Sequence, residues 1–187
     1  MHCRRGIVDD PLNILALKRY ATDHMEHDYR PVMAEPTGRR VAVIGGGPAG
    51  ISCAYYLALM GHTVTIFEQR KHLGGMLRYG IPSYRLPRED LDQEIQWILD
   101  CGIEVELEHA VDGAELERMR GDFDAVYLAI GAHNDKKLGL PGEDAEGVVS
   151  AVQMLRAIGD GEMPDFSGER VVVIGGGNVA MDVARSS

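Results

Sequence analysis

The sequence predicts an α/β fold with buried parallel strands, and three observations carry that reading. The β-branched run VAVI from Val41 stops at Gly45, Gly46 and Gly47. A helix-length segment separates it from TVTIF at Thr63 to Phe67, which completes a βαβ pattern. A second β-branched run, VVVI from Val171, reaches glycines again 130 positions after the first.

The elements follow in order. A helix is expected over residues 9–27: Asp9 or Asp10 can cap it, Pro11 suits its first turn, and Leu12, Ile14, Leu15, Leu17 and Tyr20 recur at helical spacing. Pro31, Pro36 and Gly38 break that pattern, so Tyr29 to Arg40 reads as a linker. After the first strand, a helix runs from Pro48 to Met60 and stops at Gly61. The segment from Gln69 to Pro87, rich in Gly, Pro and Arg, reads as a loop. Pro87, Glu89 and Asp90 then open a helix with Leu91, Ile95, Ile98 and Leu99 on one side, ended by Gly102. Ile103, Val105 and Leu107 alternate with Glu104, Glu106 and Glu108, the pattern of a strand with one wet face. A short helix near Ala114 to Arg120 leads to a strand from Asp124 to Gly131, and residues 133–149 read as a crossover. Ser150 can cap a helix reaching Ile158, and Val171 to Gly177 reads as another strand feeding a glycine turn.

Gly45, Gly47 and Gly50 fit GxGxxG between a strand and a helix, with Glu68 ending the next strand, which is the context a dinucleotide fingerprint requires. Gly45 permits the tight turn, Gly47 lets a pyrophosphate approach the backbone, and Gly50 allows the helix to pack closely. The helix N-terminus offers free N–H groups to phosphate, and Glu68 can accept the ribose hydroxyls of an adenosine. Gly175, Gly177 and Ala180 fit GxGxxA after their own β-branched run, so the same logic applies twice. Two dinucleotide sites suit an enzyme that passes a hydride from one bound cofactor to another. The residue that would choose between a ribose hydroxyl and a 2′-phosphate at the second site falls on a strand after Ser187, so NADH and NADPH are not distinguished.

Composition narrows the field. The 187 residues carry 19 basic and 29 acidic side chains, a net charge of −10 that disfavours nucleic acid as a partner. With 45% hydrophobic and 26% charged residues the chain resembles an ordinary globular domain. Its longest apolar run, ISCAYYLALM, is about half of the ~20 residues that span a bilayer, so no membrane is expected. Cys3, Cys53 and Cys101 are widely spaced and odd in number, which points to a cytoplasmic chain without a disulfide framework. The absence of a CxxC pair disfavours thiol–disulfide exchange. Cys53, beside Ala54 and Leu57, reads as a small core thiol. His24 and His27 with Glu26 offer too few ligands for a metal and read as a solvated helix face.

The segments VAVIGGGPAG, TVTIFEQRKHLGGMLRYGIPSYRLP, LAIGAH, LGLPGED and VVVIGGGNVAMDVARSS together resemble the small (β) subunit of glutamate synthase and its flavoprotein relatives. Those relatives include the N-terminal half of dihydropyrimidine dehydrogenase and the large subunit of bifurcating ferredoxin:NADP oxidoreductase. The resemblance implies an FAD-binding Rossmann-like fold with two dinucleotide-binding parts and a short N-terminal helical segment. Residues 1–38 would be the C-terminal part of a helical iron–sulfur domain plus linker. Residues 39–145 would be the N-terminal portion of the FAD domain, and 146–187 the opening of a truncated NAD(P)H domain. The chain is therefore expected to be a fragment, itself inactive, of an oxidoreductase passing electrons from NAD(P)H through FAD to iron–sulfur clusters of a partner. That partner would be the glutamate synthase large subunit or another electron acceptor protein. A ferredoxin-linked bifurcating subunit and a non-catalytic FAD-binding module are the alternatives.

By the same resemblance, Gly45, Gly47, Pro48, Ala49 and Gly50 would hold the FAD pyrophosphate and Glu68 the adenosine ribose, with Gln69 and Arg70 near the adenine. Gly75, Met76, Leu77, Arg78, Ile81, Pro82 and Arg85 would line the flavin and its phosphates, Arg85 as a charged contact. For Arg70, Arg78 and Arg85 the ordinary alternative is a solvated surface position. Val111 would meet the adenine, and Ala129, Ile130 and Gly131 the pyrophosphate side, with Ile130 where the family usually has a threonine. Gly175, Gly177, Asn178 and Ala180 would hold NAD(P)H. Cys3 with Arg4, Arg5 and Gly6 resembles the end of a cysteine cluster for a 4Fe-4S centre, a role it could fill only with further cysteines upstream, since such a centre needs four ligands. No catalytic side chain is expected, because hydride transfer asks the protein for orientation and electrostatics.

Overall fold

The structure, a computed structural model, describes residues 3–25 and 30–187. The chain divides into two compact units, Met1–Val32 and Met33–Ser187. In the first, a 3-10 turn (Arg4–Ile7) precedes helix α1 (Ile14–Asp23). The helix starts later than the spacing predicts, because Asn13 supplies the cap by accepting from the Ala16 N–H at 3.1 Å. Asp9 is already engaged, pairing with Arg5 at 3.1 Å and accepting from the Asp10 N–H at 2.8 Å. The expected extension through Glu26 and His27 lies outside the described residues, and His24 bonds the Tyr20 carbonyl at 2.9 Å.

The second unit is built on a four-stranded parallel sheet in the order β3-β2-β1-β4. Its strands are β1 (Arg40–Ile44), β2 (Thr63–Phe67), β3 (Glu104–Glu106) and β4 (Ala125–Leu128). The pairing Val43 to Ile66 and Val43 to Tyr127 puts β1 at the centre. Both β1 and β2 are buried on both faces after their first residue, which is why each reads as an unbroken β-branched run. Helix α2 (Pro48–Leu59) and helix α4 (Arg88–Leu99) cover one face, where Val43, Val64, Ile66, Ile51, Ala54, Leu91 and Ile95 form the main core. Burying each such Val or Ile side chain contributes about 1.5–3 kcal/mol. Helix α5 (Gly113–Asp122) covers the other face through Met119, against Ala42, Ile44 and Phe67. Asp112 caps α5 by accepting from the Glu115 N–H at 2.8 Å.

Three differences from the sequence reading have physical causes. The loop from Gln69 to Pro87 contains a single helical turn, α3 (Met76–Tyr79), which is too short to show a period. The expected strand Ile103 to Glu108 shortens to three residues, because Glu108 adopts φ 54° and turns the chain so that its N–H reaches the Arg70 carbonyl at 3.0 Å. The expected strand at Val171 to Gly177 is not formed, a correction to the reading from composition. A β-branched run becomes a strand only when another strand accepts its ladder, and none lies beside it among the described residues. Val172 and Ile174 are accordingly 84% and 76% exposed.

Helix α6 (Ala151–Gly159), capped by Ser150 accepting from the Gln153 N–H at 3.2 Å, packs on helix α7 (Asn178–Ser186) through Met154, Leu155 and Val183. Among the described residues no helix is long and apolar enough to cross a membrane.

Strand β4 is an edge that exposes Tyr127, Leu128 and, just past its end, Ile130 at 43%, 56% and 63%. Exposed apolar edges pair with other chains. The 187-residue chain is expected to self-associate with rising concentration in sedimentation velocity, and Leu128→Lys to reduce that association. A monomer at every concentration would count against it.

Candidate functional site

The C-terminal ends of β1, β2 and β4 converge on the turn between β1 and α2. Gly45 has φ 109°, and a Cβ there would stand 2.4 Å from the Ala129 carbonyl oxygen. A Cβ on Gly46 would stand 2.2 Å from the Leu73 side chain, and one on Gly50 only 1.9 Å from the Gly45 carbonyl. Backbone carbonyls occupy two of those places and the Leu73 side chain the third, so glycine is the residue that fits. Gly47 is the N-cap of α2, with Pro48 and Ala49 exposed at the helix start. Proline suits that first position because its missing N–H has no helical partner to lose. The remaining N–H groups and the helix dipole face outward, as an anion site requires.

Glu68, 7% exposed at the end of β2, bridges this turn to the next loop. Its Oε2 accepts from the Gly46 N–H at 2.7 Å and its Oε1 from the Arg70 N–H at 2.9 Å. Each carboxylate oxygen keeps a second lone pair for a ribose hydroxyl. Gly75 closes over the turn: a Cβ there would lie 2.6 Å from Gly47 Cα, and the Gly74 N–H reaches the Gly46 carbonyl at 2.8 Å. The loop before α3 and the glycine turn are thus in direct backbone contact at this point.

Arg70 and Arg78 are withdrawn from the solvated surface, whereas Arg85 lies on it. Arg70 pairs with Asp160, the residue that caps the C-terminus of α6, at 3.2 Å and lies over the Tyr79 ring at 4.9 Å. Arg78 is 6% exposed, donates Nε to the Leu73 carbonyl at 2.9 Å and pairs with Asp92 of α4. Arg85 is partly exposed and pairs through Nε with Asp182 of α7 at 2.7 Å. Arg88, which the sequence reading did not single out, bonds the carbonyls of Arg78 and Ile81 at 2.7 and 3.0 Å and so closes the end of α3. Burial, and then the charge of Asp160, push the Tyr79 hydroxyl up to about 12. Met76 is exposed beside the turn, while Leu77 packs against the main core and Ile81 is half-buried. Gln69 is exposed next to Arg70.

Val111 packs against the α5 face of the sheet, close to His109. The His109 N–H reaches the Glu68 carbonyl at 2.9 Å, and its ring meets Phe67 edge-on at 5.1 Å. Its Nδ1 and Nε2 each lie 2.8 Å from a carboxylate, Glu106 and Glu115 respectively. Only the imidazolium donates both bonds, so the Glu115 bond, followed by that to Glu106, raises the His109 pKa. Arg40, Arg118 and Asp122 line the same groove of about 460 Å³. Glu104, Glu106 and Glu108 are all exposed, as their alternation predicts, and Glu104 also accepts from the Thr65 hydroxyl at 3.0 Å.

The second glycine turn repeats the first in its backbone. Gly175 has φ 136°, and Gly177 caps α7 at φ −84°, ψ 177°, against φ −82°, ψ −176° for Gly47. A Cβ on Gly175 would meet the Ala180 methyl at 3.4 Å, an ordinary contact, so this turn accepts alanine where the first demands Gly50. Ile130 is exposed, and Gly131 follows it at φ 67°. Asn178 is the first residue of α7. Cys3, Cys53 and Cys101 are not paired with one another, and among the described residues no group of three or more His, Cys, Asp or Glu is placed to hold a metal. Cys53 packs against the main core as expected, and burial raises its pKa.

Residues 39–186 match the family described as pyridine nucleotide-disulphide oxidoreductase. The chain is 41% identical to the NADP(+)-dependent formate dehydrogenase subunit beta of Moorella thermoacetica, over 100% of this chain and 30% of that one. It is 37% identical to the glutamate synthase [NADPH] small chain of Escherichia coli strain K12, over 91% of this chain and 39% of that one. Among solved structures, Mycobacterium tuberculosis FprA in complex with NADPH matches with a TM-score of 0.66 at 28% identity, covering 81% of this chain and 36% of that one. The chain thus spans between 30% and 39% of the length of these relatives.

Two outcomes follow for thermal unfolding. Gly50→Ala drives a methyl into a carbonyl that cannot move aside, and is expected to cost about 1–3 kcal/mol, whereas Ala180→Gly should cost no more than about 1 kcal/mol. Equal melting shifts for the two would contradict the packing described. The His109 pair stabilises the fold fully below pH 6.5, the ordinary histidine value, and that contribution fades as pH rises through the raised native value. The stability lost by wild type between pH 6 and 9 is therefore expected to shrink in Glu115→Gln, and an unchanged pH profile would argue against the clamp.

Proposed function

The chain belongs to the pyridine nucleotide-disulphide oxidoreductase family, and from that premise we propose that its Met33–Ser187 unit holds FAD at the β1–α2 turn and opens an NAD(P)H site at the turn before α7. The kinship expected with the glutamate synthase small subunit and its flavoprotein relatives is borne out. We read residues 39–145 as the N-terminal portion of an FAD domain and 146–187 as the start of an NAD(P)H domain. Residues 1–38 are read as the end of a helical iron–sulfur domain plus linker, and Cys3 as one cluster ligand among others upstream. The whole protein would be an electron-transfer subunit of the cytoplasm that delivers electrons to an iron–sulfur partner.

The observation that carries this reading is the pair of glycine turns whose N-cap glycines share one backbone conformation, the first of them backed by the buried Glu68. Bound at the first turn, FAD would supply a hydride acceptor that can release electrons singly. The chain's own residues would bind and orient. Gly45 to Gly50 would present backbone N–H groups to the pyrophosphate, and Glu68 would accept from the ribose hydroxyls. Met76, Leu77 and Ile81 would exclude water from the apolar side of the ring, and the fixed guanidinium groups of Arg78 and Arg88 would hold that segment in shape. Because the chain's three cysteines form no CxxC pair, disulfide exchange is not part of the proposal.

The test is spectroscopic. After incubation with FAD and removal of the excess, the 187-residue chain is expected to retain a yellow chromophore at about one flavin per chain. The full-length protein should oxidise NADPH or NADH with a dye acceptor. A folded but colourless chain would overturn the FAD assignment, and flavin retained by a full-length protein without nicotinamide oxidation would mark a binding module.

A further inference from the structure

We propose that Asp182 is a positioning residue that holds the second glycine turn in register with the loop after α3, and so sets the orientation of the two dinucleotide sites to each other. The inference rests on the functional reading above and adds a residue that lies in neither glycine fingerprint.

Asp182 stands on α7 with 5% of its surface exposed. Its Oδ1 accepts from the Tyr84 hydroxyl at 2.9 Å and pairs with Arg85 Nε at 2.7 Å. Both donors belong to the segment between α3 and α4, so the contact joins residues 98 positions apart. Arg185, one turn along α7, places its guanidinium 4.2 Å from the centre of the Tyr84 ring. A carboxylate buried to this degree needs such partners, since an unpaired one is strongly disfavoured. Nothing in the packing of the main core calls for it: Tyr84 is 44% exposed, and α7 is already seated on α6 by the neighbouring Val183.

The geometry explains what the contact adds. Val183 and Asp182 point about 100° apart around the helix, so seating one on α6 and the other on the 81–87 loop fixes the rotation of α7 about its axis. Asn178 lies one turn before Asp182 on the same face, and Gly177 caps that turn. Rotating α7 would swing these backbone N–H groups away from a bound phosphate. On the other side, the 81–87 loop follows directly from α3, whose end Arg88 holds through the Arg78 and Ile81 carbonyls. Asp182 thus ties the N-terminus of one binding turn to the loop that walls the other.

The experiment uses the full-length protein with FAD bound, comparing wild type with Asp182→Asn and Tyr84→Phe. Three readouts are taken: flavin content by absorbance, the rate at which NADPH or NADH bleaches the flavin across nucleotide concentration, and hydrogen exchange in residues 81–87 and 176–186. Flavin content is expected to stay at the wild-type level. The limiting bleaching rate should fall about tenfold or more in Asp182→Asn, as small misplacements of reacting groups do, while the half-saturating nucleotide concentration changes by less than about threefold. Exchange should rise in both segments together in both variants. Wild-type bleaching rates in the variants, a loss confined to half-saturation, or exchange that rises in one segment alone would each overturn the proposal. If Asp182→Asn fails to fold, Tyr84→Phe at its exposed position carries the same test, with a smaller fall in limiting rate expected. Bleaching in wild type that persists unchanged in the variants sinks this inference alone. Absence of bleaching in wild type sinks the functional reading and the positioning role with it.

Discussion

Between Gly45 and Gly50 the backbone is approached so closely that two other segments and the turn itself occupy the places where side chains would stand. The end of β4 fills one through the Ala129 carbonyl, the loop before α3 fills another through Leu73, and the turn's own Gly45 carbonyl fills the third. The sheet centre, helix α2 and the loop after β2 are therefore mutually located by one stretch of chain. Glu68 adds an electrostatic fastening to this steric one, because its carboxylate binds a backbone N–H from the turn and another from the loop. Everything assigned to the site inherits its position from that junction.

Much of this was legible in the residues. The runs VAVI and TVTIF, the glycines between them and Glu68 are local signals, and they lie where the pattern puts them. The cap at Ser150 and the helix from Pro87 are local too. What escaped is non-local. Val171 to Ile174 has the composition of a buried strand, but a ladder requires a neighbour, and composition says nothing about neighbours. Arg78 and Arg85 were visible as arginines near the site, yet their roles depend on Asp92 and Asp182, which no spacing rule connects to them. His109 was invisible for the same reason, since one of its two carboxylates comes from β3 and the other from α5.

The pairing of these cations has an electrostatic meaning. The chain carries a net charge of −10, yet Arg70, Arg78 and Arg85 each face a carboxylate of their own. Their charges are largely compensated before any anionic ligand arrives. On the proposed reading, the attraction for phosphate at the first turn would come mainly from oriented backbone N–H groups and the α2 dipole, which act at short range and favour a phosphate seated at one place over a cloud of counter-ions. Arg78 and Arg88 contribute shape, by holding the carbonyls of Leu73, Arg78 and Ile81 in place.

The strand order also bears on how the chain reaches this state during synthesis. The pair β1–β2 and the helix between them are complete once Phe67 has been made, whereas β1's other neighbour, β4, ends at Leu128, 61 residues later. At a ribosomal pace of about 5–20 residues per second, the inner edge of β1 waits roughly 3–12 s for its partner. During that interval Val41 to Ile44 offers an unsatisfied ladder of apolar residues in a crowded cell. The brevity of the strand, five residues with an arginine at its start, limits how much foreign chain can pair there.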